Sequence, residues 1–348
     1  MSTDSAMPDQ HPGTATGAPE RAAGAEPEAV FLRVRTEVLR VMVGREEPLE
    51  QLLIAVLCRG HALLEDVPGV GKTVLARAFA AALGCEFRRI QFTPDVLPSD
   101  ITGSSIYNQR TADFEFRPGP LATQVLLADE INRAPPRAQS ALLEAMEERQ
   151  VTVDGQTRPL PQPFLVLATQ NPIELEGTFP LPEAQLDRFL VRVPLGYPTL
   201  DEEHTILQRF EHDDPLARVR PVTTPAEIVA LGERRGEVLV GDDVRGYLLE
   251  IVRGTRTDSR VALGASPRGA LALHRAVQAR ALLHGRSFAL PDDVKALAVP
   301  VLAHRILLTA QARLRGETPE GVVAAMLETT PVPVETELVE ELGGADVG

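Results

Sequence analysis

The chain has 348 residues, 44% hydrophobic and 4% aromatic with no tryptophan, enough for one large or two ordinary cores filled by Leu, Val and Ala. Its formal charge of −14 opposes long-range attraction to polyanions, which counts against a constitutive nucleic-acid or anionic-membrane binder. No window approaches the ~18 consecutive apolar residues of a membrane span, and the polar start lacks the basic-then-apolar order of a signal peptide, which points to a cytoplasmic protein.

Residues 1–26 are Ala, Gly, Pro, Thr and acids with scarcely a large apolar side chain, a composition that predicts a disordered leader. From there Val30, Val34, Val38 and Met42 recur every four residues, one stripe of a helix expected to stop at Gly44, and a second helix is expected over Glu46 to Cys58. Cys58 and Cys85 stand alone in apolar or helical settings and are expected to be buried thiols, without the spacing of a disulfide framework or zinc site.

The stretch His61 to Thr73, HALLEDVPGVGKT, is an apolar run breaking into a Pro/Gly loop ahead of a helix-forming segment. It reads as a phosphate-binding loop: Pro68, Gly69, Val70 and Gly71 let backbone N–H groups curl around an anion, Lys72 supplies a mobile cation, Thr73 a hydroxyl for Mg²⁺, and Val74 continues into the helix. Of the 35 basic residues only Lys72 and Lys295 are lysines; a chain that otherwise writes arginine has kept lysine where a compact ammonium must fit between phosphate oxygens. Asp66 stands where the GxxxxGKT pattern has its first Gly, a variation at the entrance of the loop.

A helix is expected over Thr73 to Leu83 and an extended run over Phe87 to Phe92, followed by a possible hairpin of Ser104–Tyr107 with Asp113–Arg117. Three short apolar runs, Val125–Ala128, Phe164–Thr169 and Leu190–Val193, lack alternation and are separated by helices, as a parallel sheet covered on both faces requires. Between the first two lies a helix face, Ala138, Ala141, Leu142, Ala145 and Met146, and then Val151 to Gly155, whose Asp-Gly signals a hairpin turn. Beyond Pro198 strand signals largely stop: Thr224-Pro-Ala-Glu227 is a capping box, and Ser266-Pro267 and Pro291-Asp292 open further helices. The fold class expected is therefore α/β, a core over 27–197 followed by a small all-helical domain over 198–330, with an acidic tail over 331–348 that carries five acids and no base.

Val125-Leu-Leu-Ala-Asp129-Glu130 places two acids at the carboxyl edge of a parallel sheet, where ligands of such folds bind. There Asp129 would hold Mg²⁺, directly or through water, and Glu130 would polarise a water for attack on a γ-phosphate. Asn171 ends the next run and would lie beside this pair if the two strands are neighbours, able to orient the water; otherwise it is a turn residue before Pro172. Arg188 precedes the last strand and is read either as facing a neighbouring subunit's nucleotide or as a surface ion pair with Asp187 or Glu183. Arg268 puts a cation in the first turn of a helix capped by Ser266, where the dipole disfavours it by about 0.3–1 kcal/mol, a local rule broken at a defined spot.

Together these residues resemble an AAA+ ATPase of the MoxR family. The matching elements run from Val41-Met-Val-Gly44 through EDVPGVGKT (65–73), FTPDVLPSDITG (92–103), GPLATQVLLADEINRAPPRAQSALLEAMEERQVTVDG (119–155) and ATQNPIELEGTFPLPEAQLDRF (168–189) to GASPRG (264–269), most of the chain. The resemblance implies an αβα P-loop NTPase core with five parallel strands, a helical lid, hairpins near 104–118 and 150–162, and a ring, commonly a hexamer, with ATP and Mg²⁺ at subunit interfaces. On that basis Val43 and Gly44 would line the adenine pocket, Asn171 would be sensor 1, Arg188 the arginine finger and Arg268 sensor 2. It further implies a chaperone that remodels or matures partner proteins, often ones with a von Willebrand factor A domain. A nucleotide-regulated scaffold with little turnover, a chelatase-type or helicase-type motor subunit and a small-molecule kinase remain as other readings of the same core.

Overall fold

The computed structural model describes residues 26–65, 69–170, 177–211 and 214–333. Asp66, Pro68 and Asn171, nearly all of the expected leader and most of the acidic tail lie outside the described residues.

Helix α1 (Pro27–Leu39) starts on a proline at its first position and buries Val30, Val34 and Val38, the predicted stripe. It ends five residues before Gly44: the chain turns after Arg40, with the Val41 and Met42 amides both returning to the Val38 carbonyl. Met42 is still buried, so the apolar period runs on although the helix does not. Gly44 sits at φ +66°, a left-handed backbone conformation that favours glycine, with the flexible Glu202 carboxylate packed against it. Helix α2 (Glu46–Leu57) follows and leads into strand β1 (Ala62–Glu65).

After β1 come helix α3 (Lys72–Ala82), strand β2 (Phe87–Gln91), the short helix α4 (Pro98–Thr102), and the antiparallel pair β3 (Gly103–Asn108) and β4 (Asp113–Pro118), in which Tyr107 faces Phe114. Strand β5 (Val125–Asp129) and helix α5 (Pro136–Glu148) precede a second hairpin, β6 (Gln150–Val153) and β7 (Gln156–Pro159). Its turn residues Asp154 and Gly155 both have positive φ, the conformation for which Asp-Gly is selected. Strand β8 (Leu165–Gln170), the one-turn helix α6 (Glu183–Leu186) and strand β9 (Val191–Val193) complete this half.

The five strands β2, β5, β8, β1 and β9 lie side by side in that order, and every pairing is parallel. Strands β5 and β8 are neighbours, with Val125 opposite Leu165 and Ala128 opposite Ala168. The pleat sends alternate residues to opposite faces: Val125, Leu127, Leu165 and Leu167 join one core, while Leu126, Ala128, Val166 and Ala168 join the other. This two-sided burial is why these strands read as continuous apolar runs.

The helical part comprises α7 (Leu200–Phe210), α8 (Pro225–Arg234), α9 (Asp242–Thr257), α10 (Pro267–Leu283), α11 (Pro291–Leu302), α12 (Ala310–Leu314) and α13 (Pro319–Thr329). The predicted capping box forms, the Glu227 amide donating to Thr224 Oγ1 at 3.2 Å and the Thr224 amide to Glu227 Oε2 at 3.0 Å. A short antiparallel ribbon of β10 (Val261–Leu263) and β11 (Leu307–Leu308) is an addition within this helical domain. The core that α1, α2 and α3 build on one face of the sheet continues without a break into α9, α10 and α11. Both cysteines are buried free thiols, and burial pushes each up to about 12.

Candidate functional site

The phosphate loop runs from the carboxyl end of β1 to the first turn of α3. Gly69 (φ +86°) and Gly71 (φ +91°) both adopt the left-handed conformation, and Gly71 caps the helix whose first residues are Lys72, Thr73 and Val74. Among the described residues, none but its chain neighbours comes within 4 Å of where a Cβ on Gly69 would stand, and the first amides of α3 have no acceptor within the helix, as a site for an anion requires. Beside it is a cavity of about 380 Å³, walled by Met42, Val43, Val70, Tyr197, Ile206 and Phe210 among others. Val43 lines this cavity, whereas Gly44, also expected in an adenine pocket, does not reach it. Tyr197, Ile206 and Phe210 arrive from the strand-to-lid connection and α7, and only the Tyr-Pro that follows the last strand marks this in the sequence.

At the same sheet edge β5 ends in Asp129, followed by Glu130 at φ 57° and ψ 50°, a left-handed conformation uncommon outside glycine. Thr169 of the neighbouring β8 holds both residues: its Oγ1 donates to Asp129 Oδ1 at 2.6 Å and accepts the Glu130 amide at 2.8 Å. The other Asp129 oxygen takes two bonds from Arg89 of β2, at 2.6 and 3.1 Å, and Glu130 pairs with Arg133 at 3.0 Å. Thr169 is buried and its partners lie on a different strand, so no spacing in the sequence announces it. Glu65, at the end of β1, is pushed up by burial, against which the nearby Arg192 and Lys72 act. Arg192 bridges Glu65 at 2.6 Å and Glu320 of α13 at 2.7 Å, tying the helical domain to the strand that feeds the phosphate loop.

Arg188 and Arg268 come together away from that cavity. Arg188 pairs with Glu147 Oε2 at 3.1 Å and Arg268 with Glu147 Oε1 at 3.4 Å. The ion-pair alternative for Arg188 is corrected in its partner: Asp187 is taken by Arg305 at 2.9 Å, and α5 presents Glu147 instead. Ser266 caps α10 as expected, accepting the Gly269 amide at 3.3 Å, so Arg268 does occupy the first turn. The two arginines line a second cavity, of about 190 Å³, with Arg59, Arg149, Arg275 and Arg305. It shares no lining residue with the cavity at the phosphate loop.

A glycine-lined loop opening a helix after β1, two acids at the carboxyl end of β5 with β8 between the two strands, and a helical domain packed against the same core define an AAA+ ATPase. Residues 61–191 match the ATPase family associated with various cellular activities (AAA), and residues 253–326 match the AAA lid domain. The chain is 50% identical to the uncharacterized protein YeaC of Bacillus subtilis over 86% of its own length and 94% of that protein, and 44% identical to chaperone MoxR1 of Mycobacterium tuberculosis over 85% and 81%. A crystal structure of a Cytophaga hutchinsonii chain, proposed to be an ATPase, superposes with a TM-score of 0.83 at 38% identity, covering 88% of this chain and 96% of that one. The chain belongs to the MoxR family of AAA+ ATPases and is a P-loop NTPase that hydrolyses ATP.

Proposed function

We propose that this ATPase works as a ring, commonly of six subunits, that hydrolyses ATP at the interfaces between them and uses the cycle to remodel or mature partner proteins in the cytoplasm, von Willebrand factor A domain proteins among them. The observation that carries this reading is the meeting of Arg188 and Arg268 at Glu147, on a cavity separate from the one beside the phosphate loop. Two guanidinium groups so placed are suited to serve a nucleotide bound by another copy of the chain, which supports action across the interface for Arg268 as well as Arg188. The donor set fits the nucleotide and its metal: the open glycine loop with Lys72 suits the phosphates, and the Thr73 hydroxyl and Asp129 carboxylate are hard oxygen donors of the kind Mg²⁺ takes. Mg²⁺ bound there supplies charge neutralisation of the phosphates; Glu130 takes a proton from the attacking water, and Asn171 orients that water.

The protein-handling half of the proposal rests on the hairpins. Tyr107 and Phe114 form an exposed edge-to-face pair, ring centroids 5.3 Å apart, on β3 and β4. Arg158 of the second hairpin lies over the Phe116 ring at 4.1 Å, so the two hairpins make one aromatic-bearing projection suited to gripping an extended chain. Helix α7 buries none of its side chains and leaves Leu200 and Leu207 exposed beside the nucleotide cavity, apolar surface for an adjacent subunit to cover.

Measuring specific ATPase activity against protein concentration tests the interface reading. Turnover per subunit should climb steeply as mass photometry reports assembly and then level off. A rate per subunit that stays constant through assembly would exclude it. A second outcome follows from Thr169: Thr169→Val keeps the shape but removes the bond to the Asp129 carboxylate and the acceptor of the Glu130 amide. Such bonds contribute about 1.5–3 kcal/mol, so kcat should fall roughly tenfold or more, with nucleotide affinity in the presence of EDTA unchanged.

A further inference from the structure

The short segment that carries Arg188 is gripped by the helical domain on both sides. Arg305 is in the 3₁₀ turn after α11, and its side chain is only 2% exposed. It donates to the Phe189 carbonyl at 2.6 Å and to the Asp187 carbonyl at 3.3 Å, while its Nε stands 2.9 Å from Asp187 Oδ1, a contact of charge without the alignment of a hydrogen bond. The neighbouring His304, buried and held neutral by its surroundings, donates from Nε2 to the same Phe189 carbonyl at 3.0 Å, and the Ser266 hydroxyl reaches Asp187 Oδ2 at 3.3 Å. Burial lowers the Arg305 guanidinium to about 10, opposed by Asp187, so it stays charged at neutral pH. Burying a charge away from water is costly unless it is paired, and Arg305 is held by a carboxylate and two carbonyls.

What the charge does here is hold the two carbonyls that flank Arg188, and hold them from the other domain. The Arg188 side chain itself is left partly exposed, in contact with Glu147. Arg305 thus links the backbone on both sides of Arg188 to the helical domain. We propose that Arg305 is a positioning residue for Arg188, transmitting the angle of the helical domain to the guanidinium offered to the adjacent subunit. This rests on the interface reading above.

A double-mutant cycle on the full chain tests it, with wild type, Arg305→Lys, Arg188→Ala and the double variant compared at a protein concentration where all are assembled. Lysine keeps the charge but cannot span two carbonyls and a carboxylate. Arg305→Lys should lower kcat at least tenfold with KM for ATP within twofold, and should lower it no further in the Arg188→Ala background, where residual hydrolysis is read from single-turnover release of labelled phosphate. An equal fold-loss in both backgrounds, or no loss in the wild-type background, overturns the proposal. Should Arg188→Ala leave kcat untouched, the interface reading fails as well, and the cycle registers that separately. If circular dichroism shows that Arg305→Lys does not fold, Asp187→Asn, which keeps the shape of the segment and removes the charge Arg305 faces, takes its place in the same cycle with the same criteria.

Discussion

Glu130→Gln is expected to lower kcat by about 10²–10⁴ while ATP affinity stays within about twofold, because the amide keeps the size of the side chain and loses only its capacity to accept a proton from water. The position favours this outcome. Glu130 follows the last residue of β5, in a left-handed conformation fixed by the bond from its amide to Thr169, so the substitution should leave its backbone in place. Its carboxylate is joined to Arg133 at 3.0 Å, a partly exposed pair whose screening by water makes exchange for a substrate water inexpensive. Binding is measured by fluorescence of a labelled ATP analogue and turnover by phosphate release. Normal binding with turnover at the wild-type rate would remove Glu130 from the chemistry.

Arg188→Ala should lower kcat by roughly 10³–10⁵, the range for an arginine supplied to a phosphoryl-transfer site from outside it. Size alone does not say which subunit's nucleotide is served, and mixing does. In a ring of Glu130→Gln and Arg188→Ala subunits, one kind of interface joins an intact Glu130 beside the nucleotide to an intact Arg188 from the neighbour. Mixing the two inactive variants should therefore restore a substantial fraction of wild-type turnover. If both residues served the nucleotide of their own subunit, every subunit in the mixture would lack one of them and no activity would return. Glu147 sharpens the expectation, because one carboxylate holding two cations at 3.1 and 3.4 Å keeps both poised at the same patch of surface. Arg268→Ala should behave in the same mixing assay as Arg188→Ala does.

Much of the architecture is legible in the sequence. The glycines at 69 and 71 take positive φ, Thr224 and Glu227 cap each other, Asp154-Gly155 turns a hairpin, and the apolar runs become parallel strands with alternate residues on opposite faces. These are short-range effects, settled within a few residues by sterics, hydrogen-bonding reach and periodicity. The end of α1 differs from the expectation for an equally physical reason: Met42 continues the buried period, but the chain leaves the helix after Arg40 and Val41 to Val43 wall the cavity beside the glycine loop, and a stripe of apolar residues does not distinguish helix from buried turn.

The partners of the site residues were not legible. Thr169 reaches Asp129 across 40 residues, and Arg305 reaches Phe189 across 116, each joining elements that only the fold makes adjacent. Glu147 is one acid of several at the end of α5, and nothing in its neighbours selects it over Glu144 or Glu148 to face Arg188. By itself, then, the order of residues determined the kind of chemistry: a loop able to cradle phosphates, acids at a strand end, cations set against local preference, and a domain of capped helices. Tertiary structure decided which of those charges meet and which stay apart, because attraction between ions depends on distance and on exclusion of water, and both are set by packing between segments far apart in the chain.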